Sequence, residues 1–131
     1  MVAYSFKERF IAPIEVGLGR EITGPSPVEF PAPKMQTIRA HGKRRHARPG
    51  EILQLYYAMR TKMCRLIGVA KCFDVLPTRI LISAADADLT VFYDGQRVSE
   101  HDTEHFARTD GFGSVEDMWL YVSRGTGYWG P

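Results

Sequence analysis

The residues best suited to chemistry lie in one short stretch, Lys34-Met35-Gln36-Thr37-Ile38-Arg39. If residues 36–39 are extended, Thr37 and Arg39 project from one face, with Lys34 at the loop entrance. A lysine beside a threonine hydroxyl forms a nucleophile arrangement once burial or nearby positive charge removes the ammonium proton. Arg39, Arg44, Arg45 and Arg48 are neighbours of the kind that depress a lysine pKa. By residue type alone, a solvated basic hairpin fits the same stretch equally well.

Charge is distributed unevenly around this segment. Residues 34–73 carry ten Lys or Arg and a single acid, Glu51, whereas residues 74–131 carry four Arg against ten Asp or Glu. The net charge of +2 conceals this split. It points to a field aimed at one region and to a phosphate-bearing partner for the basic part. Metal-free RNA cleavage needs a base, an acid and cations to stabilise the phosphorane. His41 or His46 beside the arginines of residues 39–48 could supply these, although histidines in a basic loop also serve as plain phosphate contacts. Tyr56 and Tyr57 are candidates to stack a base, with a core role as the alternative. Trp119 is placed in the core.

The surrounding elements read as α+β. Residues 4–6 start a strand, and residues 7–17 form a helix limited by Pro13 and closed by Gly17 and Gly19. A Pro-rich insertion over about residues 20–33 delivers the chain to Lys34. Residues 36–40 are expected as a short strand, followed by a basic loop that ends at Pro49-Gly50. Strands are then expected over 51–57, within 64–75, over 79–83 and over 89–93, the last closed by the turn pair Asp94-Gly95. Ser99 caps one helix, Asp110-Gly111-Phe112-Gly113 interrupts, and Ser114 starts a second helix with Glu116 and Asp117 in its first turn.

At 131 residues the chain fits one domain, residues 1–131. It contains no apolar run of the ~20 residues a membrane-spanning helix needs. Its first residues lack the apolar core of a signal peptide, so a cytoplasmic location and no membrane partner are expected. Two cysteines, Cys64 and Cys72, are too few for a disulfide framework or a four-cysteine zinc site. Their spacing places both on one face of a strand as buried thiols. No zinc, P-loop or dinucleotide spacing occurs, and no cofactor or metal is expected.

The form Lys-x-x-Thr-Ile-Arg, followed by a basic loop, Pro49-Gly50-Glu51 and Leu53-Gln54-Leu55-Tyr56, resembles the ASCH domain, a member of the PUA-like superfamily. The likeness continues through Met59-Arg60-Thr61-Lys62 and resumes at residues 105–112, Ser114 and Glu116-Asp117-Met118-Trp119. It covers most of the chain outside the Pro-rich insertion and is greatest for stand-alone bacterial or phage members. The resemblance implies a small PUA-like β-barrel with helices packed at its side, and RNA or a modified nucleoside as partner. One branch of the family hydrolyses N4-acetylcytidine to cytidine and acetate. Carried over to this chain, its catalytic residues are Lys34, Thr37 as nucleophile, and Asp110 in place of a glutamate, a carboxylate one methylene shorter. The substrate-binding set is then Arg39, Lys43, Arg44, Arg45, His46, Arg48, Tyr56, Arg60 and Lys62. A strand that usually follows the last helix has only residues 126–131 to form it. The alternatives are an ASCH-type ribonuclease and a non-catalytic RNA-binding module.

Overall fold

A computed structural model describes residues 2–23, 31–39, 45–83 and 88–124. Strand β1 (Val2–Phe6) leads through a 3₁₀ turn at Glu8–Phe10 into helix α1 (Ile11–Gly17). Pro13 is tolerated because it is the third helical residue, in the first turn, where backbone N–H groups have no intrahelical partner. The helix closes in a Schellman arrangement: Arg20 N–H donates to the Glu15 carbonyl, and Gly19, at φ +73°, donates to Val16.

Strands β2 (Ile52–Tyr57) and β3 (Arg65–Lys71) form an antiparallel pair, and β1 joins β2 in parallel to complete one three-stranded sheet. Strands β4 (Thr78–Ser83), β5 (Asp88–Tyr93) and β6 (Gln96–Arg97) form a second antiparallel sheet. The β5–β6 turn holds Asp94 at φ +50° and Gly95 at φ +83°. Positive φ at both central residues marks the hairpin turn whose twist matches the flanking strands.

Helix α2 (Glu100–Thr109) starts at Ser99, whose hydroxyl accepts from the Asp102 N–H. Helix α3 (Val115–Arg124) starts beyond Ser114, whose hydroxyl accepts from the Asp117 N–H. Both caps satisfy orphan donors of a first turn. Among the described residues one buried cluster draws on every helix and both sheets, including Phe10, Leu55, Ile67, Val91, Phe106 and Met118. Trp119 packs against its edge, half-buried, and donates its indole N–H to the Ser83 carbonyl. The architecture is mixed α+β, and each sheet is open, with no closed barrel among the described residues. None of the described helices is long and apolar enough to cross a membrane.

Two expectations are corrected. Residues 36–39 form no strand; the whole stretch 31–39 is irregular. Its backbone donors go to separate elements instead of to one ladder: Lys34 N–H to the Pro13 carbonyl, Met35 N–H to the Thr109 carbonyl. Cys64 and Cys72 do not share a face: Cys64 is exposed and Cys72 buried. Cys64 sits in the β2–β3 turn, and the register shifts where Leu55 pairs with Gly68 but Tyr56 with Leu66. The extra residue, Ile67, inverts the alternation between the two cysteines.

Candidate functional site

The end of α2 provides the carboxylate. Gly111, at φ +96°, donates to the Arg108 carbonyl, and Phe112 N–H donates to Ala107. This second Schellman closure leaves Asp110 at the C-cap. Lys34 reaches it from 76 positions away in sequence. Its Nζ donates to the Asp110 backbone carbonyl at 2.6 Å and lies 3.1 Å from Oδ1. The ammonium thus satisfies an orphan helix carbonyl at the negative end of the macrodipole.

The pair is sealed from solvent. The Lys34 side chain is 5% exposed and that of Asp110 9%. Aromatic faces close the remaining sides, with Nζ 4.7 Å from the Phe10 ring centroid and 5.7 Å from that of Phe6. Burial pushes the Lys34 ammonium below the usual lysine range; Asp110 opposes the shift, and the positive charges of Arg39 and Arg9 add to it. Burial likewise raises Asp110 above the usual carboxylate range, with Lys34 and then Arg39 opposing. Both shifts have the same leading cause, since burial penalises the charged form of each group.

The rest of the segment is pinned from several sides. Gln36 donates its side-chain amide to the Phe106 carbonyl and accepts from the Tyr93 hydroxyl at 3.3 Å. Burial, together with Asp110 and Asp74, raises the Tyr93 phenol above its usual range. Arg39 donates to the Ser5 carbonyl at 2.9 Å while its guanidinium lies over Tyr4 and Phe6. Thr37 is half-buried in the same stretch and makes no hydrogen bond to Lys34 or Asp110. Two shallow clefts lie elsewhere among the described residues. One, of about 230 Å³, is lined by Asp88, Arg97 and Glu100; the other, of about 240 Å³, by Glu15, Tyr57, Met63 and Arg65.

Of the anticipated site residues, Lys34, Asp110 and Arg39 come together. Arg45 does not join them. It makes a bidentate pair with Glu51 at 2.6 Å on each arm, and Glu51 also accepts the Arg48 N–H. The Arg45 fork and the Arg48 N–H hold the Glu51 carboxyl at about 2, well below the usual range. A carbon-detected NMR titration is expected to find that midpoint, and Arg45→Ala is expected to return it most of the way to an ordinary glutamate value. Arg48 is exposed and His46 half-buried beside this pair, while Arg60 and Lys62 are exposed in the β2–β3 turn. Tyr57 packs on the core; Tyr56, its neighbour on β2, does not belong to it. Lys43, Arg44, His41 and residues 24–30 of the Pro-rich insertion lie outside the described residues.

Phe6 and Phe10, which wall in the ammonium, were readable only as apolar positions of a strand and a helix. Nothing local marks an aromatic as facing a lysine rather than the core. No group of three or more His, Cys, Asp or Glu that could hold a metal occurs among the described residues. No family model matches the chain, and neither a curated protein nor a solved structure matches it.

Proposed function

We propose that this chain is an ASCH-type, PUA-like protein directed at RNA or modified nucleosides, with Lys34, Thr37 and Asp110 as the catalytic group of an N4-acylcytidine hydrolase. The observation that supports it most is the Lys34–Asp110 contact. The resemblance pairs these two residues across most of the chain, and they lie 3.1 Å apart. The two open three-stranded sheets around one core would be the two halves of the PUA-like barrel.

In this reading the Lys34 amine, held below its ordinary range, takes the Thr37 hydroxyl proton as the oxygen attacks the acyl carbon. Asp110 then carries the proton to the departing cytidine nitrogen, and water releases the acyl group as acetate from Thr37. The nearly complete burial of Lys34 and Asp110 requires the 31–39 segment to shift when substrate enters, which its lack of a strand ladder permits. Purified protein is expected to release cytidine from N4-acetylcytidine, and Thr37→Ala to abolish that release. Absence of turnover at high enzyme concentration overturns the hydrolase.

The same burial favours a second reading. Here the lysine caps α2 and clamps the segment in place, and the chain binds RNA without cutting it. Exposed Arg48, Arg60 and Lys62 would contact phosphate. RNA affinity that falls steeply with salt, with no cytidine release and no strand scission, identifies this case. Scission that persists through purification and is lost in Lys34→Ala identifies the ASCH-type ribonuclease instead.

A further inference from the structure

The outer face of the first sheet carries exposed apolar and aromatic side chains that neither helix nor second sheet covers among the described residues. Leu55 and Tyr57 turn inward on β2, so Ile52, which is exposed, and Gln54 and Tyr56, which are half-buried, turn outward. Their partners on β3 follow: Tyr56 pairs with Leu66, Gln54 with Val69 and Ile52 with Lys71. Leu66, Val69 and Lys71 are all exposed. Two residues beyond Lys71 stands Phe73, 87% exposed. An aromatic ring left almost wholly in water at the end of an apolar strip marks a binding surface.

Charge selects the occupant. Lys71 lies within the face, and Arg60 and Lys62 flank its Tyr56 end. At the other end Gly50 N–H donates to the Cys72 carbonyl and Cys72 N–H to Glu51, which ties the turn that carries exposed Arg48 to the residue preceding Phe73. The acid there, Glu51, is held in the Arg45 fork, and Asp74 accepts its neighbour Val75's N–H. Aromatic rings interleaved with cations form the pattern that stacks bases and tracks a phosphate backbone. A second copy of this basic strip would bring like charges together.

We propose that this face is a platform for single-stranded nucleic acid, with Phe73 and Tyr56 stacking bases and Lys71 and Arg48 meeting phosphates. It extends the nucleic-acid reading above to a defined surface and is independent of whether Thr37 is a nucleophile. Fluorescence anisotropy with short oligo-uridine and oligo-thymidine probes tests it, the two arms separating RNA from DNA. Wild-type protein is expected to bind at low salt with a log–log salt slope that Lys71→Glu makes shallower. Phe73→Ala is expected to weaken binding by roughly 5- to 150-fold, the range for loss of one stacked base. Tyr56→Phe is expected to retain affinity that Tyr56→Ala loses.

No binding of either probe at low salt overturns the proposal, as does binding indifferent to Phe73→Ala. A dimer detected by light scattering, dissolved by Phe73→Asp and unaccompanied by probe binding, would assign the face to self-association instead. Cytidine release measured on the wild type and on Phe73→Ala keeps the two sites separate: its absence from the wild type overturns the hydrolase and leaves this surface standing.

Discussion

Asp110→Ala is expected to cost about 3–5 kcal/mol of folding stability, because it strands a lysine ammonium in a site walled by Phe6 and Phe10. For a chain of this length that lowers the melting temperature by roughly 10–20 °C. The double variant Lys34→Met with Asp110→Leu should cost far less, about 1–2 kcal/mol. It removes both charges together and forfeits mainly the hydrogen bond to the Asp110 carbonyl. Urea denaturation of Lys34→Met, Asp110→Leu and the double variant measures the coupling directly. If Asp110→Ala costs under about 1 kcal/mol, the buried pair is not the clamp described. The pH dependence adds a second check. Removing Asp110 leaves burial and the Arg39 and Arg9 charges acting on Lys34, all of which lower its pKa. The unfolded state then binds the extra proton between the lowered folded pKa and the ordinary 10.5, so the variant gains stability as pH rises through that window. In the wild type the raised Asp110 acts in the opposite sense: its contribution is full below 3.8 and is lost as pH rises through the folded value.

Elements whose signals are local are legible in the sequence itself. Ser99 and Ser114 announced two helix starts because each hydroxyl bonds an N–H only three residues ahead. Asp94-Gly95 announced its turn because both residues accept positive φ. Features set by tertiary contact were hidden. The irregular path of residues 31–39 depends on carbonyls offered by Pro13 and Thr109, which no local pattern displays. A single extra residue in β3 turned Cys64 outward while leaving the composition of the strand unchanged. At the site, Lys34 and Asp110 were linked by family resemblance alone, since a separation of 76 positions erases any periodic relation. The charge split showed a basic region but not that Glu51, the single acid among residues 34–73, is claimed by Arg45. Gly17 and Gly19 were both legible as the close of α1, and the helix ends at Gly17 while Gly19 takes the left-handed conformation beyond it.

The role of Gly17 yields the second large effect. As the last residue of α1 it should gain up to ~1 kcal/mol from replacement by alanine if helix propensity decided the matter. Contact reverses the sign. A Cβ there would fall on the Lys34 carbonyl oxygen, with the Lys34 carbonyl carbon at 3.2 Å and its nitrogen at 3.3 Å. These are backbone atoms and cannot rotate aside, so α1 or the 34–36 segment must move. Gly17→Ala is therefore expected to destabilise by about 1–3 kcal/mol, as overpacking does. It should also shift the amide resonances of Lys34, Met35 and Gln36, because the bonds to Pro13 and Thr109 are the ones displaced. Gly19→Ala is the control. Its added methyl meets nothing within 4 Å, so it should cost about 1 kcal/mol of backbone strain at φ +73° and leave those three amides in place. If Thr37 is the nucleophile, the two variants also separate in turnover, since a 1 Å misplacement of a catalytic group costs about 100-fold. Gly17→Ala then loses cytidine release and Gly19→Ala keeps it. Equal behaviour of the two would mean that α1 does not set the position of Lys34, and that the site is held by the end of α2 alone.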